Sequence, residues 1–177
     1  LNDMFLFADH MQSNQQFSST PKSSDFNKTS IYAFTNKSAL SNAIDEWIED
    51  QDNATETYGD INTWDVSQIT DFSNLFYEKT TFNSDISNWD VSSGTDFSSM
   101  FALATKFDQD LSNWDVSKGT DFEKMFYGAS DFDQDIGSWD VSKGSDFSSM
   151  FSAARSFNQD ISSWDVSSGT DFRYMFN

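Results

Sequence analysis

Tryptophans at Trp64, Trp89, Trp114, Trp139 and Trp164 stand 25 residues apart, and every other landmark of the chain keeps that step. A valine follows each two residues later (Val66, Val91, Val116, Val141, Val166), then the phenylalanine of a TDF or SDF step (Phe72, Phe97, Phe122, Phe147, Phe172). A Met-Phe pair comes next, with Leu75 replacing the methionine only in the first copy. A fixed period of this length means stacked supersecondary units, none of which can bury its apolar side alone. The copies match without a gap, so equivalent side chains must stand over one another. The expected fold class is an α/β repeat solenoid of stacked 25-residue coils. Short parallel strands are expected over Phe107–Trp114, and glycine turns at Gly94, Gly119, Gly144 and Gly169. A single helical turn or 3-10 segment, capped by Thr95 or its equivalent, would carry the Phe-x-x-Met-Phe face.

Four segments follow. Residues 61–177 hold about five repeats, the last incomplete. Residues 37–60 form an amphipathic capping helix and its lead-in: Ala39, Leu40, Ala43, Ile44, Trp47 and Ile48 recur at helical spacing, Ser38 serves as N-cap, and Asp52-Asn53 is the stop. Acids in the last turn oppose the helix dipole, so packing must hold this helix. Residues 12–36 lose the periodicity and carry the only proline, Pro21, which reads as a linker or an extended segment packed on a neighbour. Residues 1–11 read as a partial repeat from a preceding array. Aligning Leu1 with Phe97 puts Met4 on Met100, Phe5 on Phe101, Ala8 on Ala104 and Met11 on Phe107. A chain that opens without methionine is expected to be a processed or excised piece.

The formal net charge of -19 argues against nucleic acid and against anionic membrane surfaces, both of which need clustered Lys and Arg. Low hydropathy with high charge ordinarily means disorder. Here 17% of residues are aromatic and regularly spaced, so a core can form. The absence of cysteine removes disulfides and thiol chemistry. No run in the sequence is long and apolar enough for membrane insertion.

Asn27, Asn36 and Asn53 open three N-glycosylation sequons, all ahead of the repeats. Within the repeats, stacking turns aspartates into columns: Asp65 to Asp165 beside each Trp, Asp71 to Asp171 in the TDF step, and Asp85, Asp110, Asp135 and Asp160. Carboxylates one coil apart repel by about 0.8 kcal/mol in water and about 3 kcal/mol at an effective dielectric near 20. Such columns must therefore be solvated, bound to backbone N–H groups or neutralised. The first two columns are expected to cap turns. Asp108, Asp110, Asp133, Asp135 and Asp160 alternate with amides as hard oxygen ligands, and calcium is the one cofactor they suit; none is required, and EF-hand spacing is missing. Catalysis is not expected, because His10 is the only histidine and the carboxylates repeat identically instead of forming one pair in a cleft.

The stretches WDVSSGTDFSSMF (Trp89–Phe101), FNQDISSWDVSSGTDF (Phe157–Phe172) and YGDINTWDVSQITDF (Tyr58–Phe72) resemble the BspA-like leucine-rich-repeat surface proteins. The likeness covers residues 38–177. It departs at Gly94–Phe97, where that family has Val or Met, and at Ala104, Ala129 and Ala154, where Cys or Gly is frequent. The resemblance implies a leucine-rich-repeat-like solenoid and an extracellular or cell-surface role in adhesion or structure, and it brings no catalytic residue.

The leading functional expectation is a structural surface protein that associates with itself end to end, or joins arrays within a longer chain. Open coil edges pair with other chains, and heterologous contacts that do not close make filaments. Leu1, Met4 and Phe5 at one end and Phe172, Met175 and Phe176 at the other are the residues expected at the joint. The alternative is an adhesin that holds glycan or protein on a flat face, with Tyr77, Tyr127 and Tyr174 as platforms. Ice or mineral binding would use the Thr70, Thr95, Thr120, Ser145, Thr170 column, but paired T-x-T rows are missing.

Overall fold

The computed structural model describes residues 31–177. Helix α1 (Lys37–Glu49) exists because its apolar stripe has somewhere to go: Leu40, Ala43, Ile44 and Trp47 are all buried. Its N-cap is Asn36, not Ser38; the Asn36 Oδ1 accepts the Ala39 N–H at 2.9 Å. Its end also differs from the expected stop. Asp50 breaks the backbone and then caps a second helix, α2 (Gln51–Tyr58), by accepting the Asn53 N–H. One 3-10 turn, Ile61–Thr63, leads into the repeats.

Beyond that point the α/β repeat solenoid expected from the sequence is not what forms. Among the described residues there are two short α-helices, one 3-10 turn and no strand. The only β pairing among the described residues is a set of isolated parallel bridges, Ala33 with Asp65 and then Asp71, Asp96, Asp121, Asp146 and Asp171 in succession. The expected strand over Phe107–Trp114 fails for a local reason. Its polar groups are taken by turns and side chains: the Ser112 N–H goes to the Asp110 carboxylate and the Trp114 N–H to the Leu111 carbonyl. The expected helical turn or 3-10 segment on the Phe-x-x-Met-Phe face, Phe97–Phe101, is also absent, because alternate N–H groups there leave the coil altogether. Nor does Thr95 cap it; its hydroxyl donates to the Thr70 carbonyl of the preceding coil.

What remains is a stack of irregular 25-residue coils in strict register. The phenylalanine columns stack nearly parallel, with Phe72–Phe97–Phe122–Phe147–Phe172 centroids 5.4, 5.6, 5.4 and 5.3 Å apart. A second column, Phe76–Phe101–Phe126–Phe151–Phe176, runs beside it at 5.2–5.7 Å. Offset stacking of this kind adds about 0.5–1.5 kcal/mol per pair beyond area burial. The glycine turns make room for these rings: a Cβ on Gly119 would lie 2.4 Å from the Phe122 Cζ. Each tryptophan ties two coils, the Trp89, Trp114, Trp139 and Trp164 indoles donating to the carbonyls of Ile61, Ile86, Leu111 and Ile136.

The first coil is covered. Tyr32 and Phe34 pair with both backbone groups of Asp65, at 2.9 and 2.8 Å. Helix α1 lies across the coil, with Lys37 on Asp71, Lys79 on Asp45, and the Trp47 indole on Ser84.

Candidate functional site

The feature that sets one end of the molecule apart is a main-chain ladder in which four N–H groups per coil donate to the next coil, with fewer bonds running back, as from the Thr95 N–H to the Thr70 carbonyl. In the first coil the N–H groups of Phe72, Asn74, Phe76 and Glu78 donate to the carbonyls of Asp96, Ser98, Met100 and Ala102, at 2.8, 3.0, 2.8 and 2.9 Å. The same four bonds recur from Phe97, Ser99, Phe101 and Leu103, from Phe122, Lys124, Phe126 and Gly128, and from Phe147, Ser149, Phe151 and Ala153. Intervening N–H groups close three-residue turns within the coil, such as Met100 to the Phe97 carbonyl. The arrangement demands left-handed backbone at two places per coil. One is occupied by Asn74, Ser99, Lys124, Ser149 and Tyr174, the other by Glu78, Leu103, Gly128 and Ala153. Each non-glycine there costs roughly 1–2 kcal/mol of local strain, which the ladder holds in place.

At the last coil this ladder has donors and no acceptors. Among the described residues the N–H groups of Phe172, Tyr174 and Phe176 have no partner. Burial falls away in the same place: Phe172 is 40% exposed, Phe176 63% and Val166 38%, whereas their equivalents in inner coils are buried. A groove of about 250 Å³ borders the face, lined by Phe151, Ala154, Arg155, Phe157 and Phe176 among others. Phe172, Met175 and Phe176 thus share the last coil, with Met175 half-buried against the core and both rings exposed. Leu1, Met4 and Phe5 lie outside the described residues. Both arginines of this acidic chain, Arg155 and Arg173, sit at this end. An open coil edge is expected from the repeat, but its individual donors and the two arginines are not, the charge asymmetry being the available signal.

The acidic columns are built from one local device. Every aspartate of the three columns from Asp65 to Asp171 accepts, through Oδ1, the N–H two residues on, as Asp110 does from Ser112, Asp135 from Gly137 and Asp160 from Ser162. Hydrogen bonds from those serines hold Asp110 and Asp160 below the usual carboxylate range. At Asp71, burial pushes upward most strongly, but bonds from Lys37 and Ser73 together outweigh it and lower the carboxyl. Asp121 is the exception: burial, with the charges of Asp96, Asp146 and Glu123, raises it despite a backbone bond from Glu123.

Asp108 and Asp133 do something different. The Asp108 Oδ1 accepts the Asp133 N–H and the Gln134 amide across the coil boundary, and Asp133 does the same for Asn158 and Gln159. The five residues expected to hold calcium therefore divide between two columns, one stitching coils together and one closing turns. Among the described residues no three acidic or imidazole side chains gather as a metal-holding group. Asn36 is exposed at the start of α1, Asn53 is exposed on α2, and Asn27 lies outside the described residues. Tyr77 and Tyr127 share a column two coils apart, while Tyr174 stands in another, so the three do not form one platform. The hydroxyls of Thr95, Thr120, Ser145 and Thr170 are spent on the preceding coil's carbonyls.

The profile of a family described as "Mycoplasma protein of unknown function, DUF285" matches residues 44–144 and 120–177. No curated protein and no solved structure matches the chain.

Proposed function

The chain belongs to that DUF285 family, a family of surface repeat proteins, and from this premise we propose that it is an extracellular building element that joins end to end. The observation supporting the reading is the ladder itself: each coil spends four N–H donors on the coil that follows it, so a coil is complete only with another beside it. Unpaired main-chain donors beside apolar surface are costly in isolation and are the usual template for adding chain. The matching piece is Leu1–Met11, the stretch outside residues 61–177 that carries the repeat's own apolar spacing. In that phase Leu1, Met4 and Phe5 take the columns of Phe172, Met175 and Phe176. A closer kinship with BspA-like leucine-rich repeats rests on the WDVS and TDF steps and supports the same surface role. The joint needs no catalytic group, cofactor or metal.

The test is the size of the purified chain at physiological salt, by sedimentation velocity and negative-stain electron microscopy. Rods that lengthen with concentration are expected for the full chain, and mainly single particles once Leu1–Met11 is deleted. Assembly that persists unchanged after the deletion would overturn the reading.

A further inference from the structure

Independently of end-to-end association, we propose that the face carrying Tyr77, Leu103 and Tyr127 binds a neutral β-1,4-linked glycan, laid along the stack with a sugar ring on each tyrosine. The argument starts from where the repeat departs from itself. Columns that pack or bond between coils hold one residue type, as the tryptophans, the TDF phenylalanines and the turn aspartates do. Two columns just after the second phenylalanine do not. Tyr77, Ala102, Tyr127 and Ser152 share one, and Glu78, Leu103, Gly128 and Ala153 the next. The coil does not need a tyrosine to close, since Ala102 and Ser152 hold the same place and are only 1% and 6% exposed. Tyr77 is 43% exposed and Tyr127 half-buried. Leu103 belongs to the coil between them, half-buried, in left-handed backbone with a φ of 61°. Its side chain reaches over Gly128, where a Cβ would come within 2.7 Å of the Leu103 Cδ2. A leucine in that backbone costs about 1–2 kcal/mol where the next coil uses glycine, and strain of this kind gathers where surfaces bind.

Spacing and charge select the ligand. In the neighbouring column the Phe76, Phe101 and Phe126 rings step by 5.2 and 5.6 Å. Tyr77 and Tyr127 follow the first and last of these in sequence, so they stand two such steps apart. An extended β-1,4-linked chain turns each sugar over relative to the one before. Every second sugar therefore shows the same face, and two sugars match two coils in length. Their C–H groups meet the electron-rich faces of the rings, while the intervening sugar passes over Ala102 and Leu103, where no ring stands. Polar partners for sugar hydroxyls flank both stations. The Tyr77 hydroxyl is hydrogen-bonded to Glu78 and lies within electrostatic reach of Tyr127. Lys124, paired with Glu123 at 2.5 Å, lies within electrostatic reach of Tyr127 in turn. A net charge of -19 repels anionic polysaccharides, which leaves neutral ones. Two weak stations joined by one chain act together, so a hexamer suits this face better than a single sugar.

The full chain is titrated at physiological salt, by isothermal titration calorimetry, with the hexamers of β-1,4-linked glucose, β-1,4-linked N-acetylglucosamine and α-1,4-linked glucose. At least one β-linked hexamer should bind. The α-linked hexamer should bind at least tenfold more weakly, because its chain coils and does not return one face at a two-coil step. Tyr77→Ala and Tyr127→Ala should each weaken binding at least tenfold while keeping the cooperative unfolding transition, Ala102 showing that alanine fits this column. Tyr77→Phe with Tyr127→Phe keeps both rings and should bind within about threefold of the unsubstituted chain. Tyr127→Ala combined with Ser152→Tyr keeps two tyrosines but sets them three coils apart, and should bind no better than Tyr127→Ala alone. An unsubstituted chain that takes up neither β-linked hexamer overturns the proposal. So does binding that survives both alanine substitutions, which puts the sugar elsewhere. Full affinity in the three-coil variant, or equal binding of the α-linked hexamer, overturns the spacing and with it the β-1,4 assignment. None of these outcomes touches end-to-end association, which is read from particle size.

Discussion

An aspartate two residues ahead of an N–H is the commonest local device of this chain, and it makes stability depend on acid in a way that can be worked out residue by residue. Hydrogen bonds from Ser67, Ser117, Ser142 and Ser167 lower Asp65, Asp115, Asp140 and Asp165 below their ordinary value of 3.8. A carboxyl lowered by folding contributes stability above its unfolded value, and that contribution is lost as pH falls through the lower folded value. Asp121 has the opposite sign. Raised by burial and by Asp96, Asp146 and Glu123, it favours folding below 3.8 and opposes it once pH has risen through its folded value. Lowered groups outnumber it, so the chain should lose stability below about pH 4. At pH 7, Asp121→Asn keeps an acceptor for the Glu123 N–H and removes a charge from the column. It should raise the unfolding free energy measured in urea by on the order of 0.5 kcal/mol, the scale of a partly screened surface charge. Asp115→Asn should not raise it. A lowered midpoint for Asp121→Asn would mean that the column is stabilised by its charge, through cations, and not in spite of it.

At the scale of elements, α1 was readable and α2 was not, and the reason is how much each buries. Leu40, Ala43, Ile44 and Trp47 mark a face at a 3.6-residue period, and all four are buried as that face requires. Helix α2 buries Ala54 alone, so QDNATETY carries no stripe to read and depends on the Asp50 cap and the neighbouring α1. The coils read as strand and helix in the sequence because their ladder leaves almost no mark in composition. Left-handed backbone at Asn74, Ser99, Lys124, Ser149 and Tyr174 is imposed by the stack, and only Gly128 is a residue that advertises it. In the candidate site, Phe172, Met175 and Phe176 follow from column arithmetic, whereas the donors between them belong to the backbone and have no side-chain signature. The cap can be tested by its anchor. Trp47 is buried, meets Trp64 edge-on at 5.9 Å and donates its indole to Ser84 at 2.9 Å. Trp47→Ala should cost about 3–5 kcal/mol in urea unfolding, the range for deleting a buried large aromatic. A cost below about 1 kcal/mol would show that α1 is dispensable to the first coil.

For the whole molecule, contacts run between one coil and the next, so stability should behave as a sum of coils and coil–coil interfaces. This makes the repeat length itself a structural variable. Removing residues 111–135 joins Asp110 to Ile136 and moves every later column onto its equivalent: Trp139 takes the place of Trp114, Phe147 that of Phe122, and the Ser99 N–H finds the Ser148 carbonyl where it had that of Glu123. No φ at a left-handed position changes type, since Leu103 then faces Ala153 in place of Gly128. Removing residues 111–134 deletes one residue fewer and shifts every phenylalanine off its column by a position, which breaks the ring stacks and the ladder from that coil onward. The 25-residue deletion should therefore keep a single cooperative unfolding transition with a smaller denaturant slope, because less surface is exposed on unfolding. The 24-residue deletion should lose the cooperative transition for the coils that follow the junction, seen as early exposure of Trp139 and Trp164 by fluorescence. Equal stability of the two deletions would mean that the columns tolerate a slip, and with it the register on which an end-to-end joint depends.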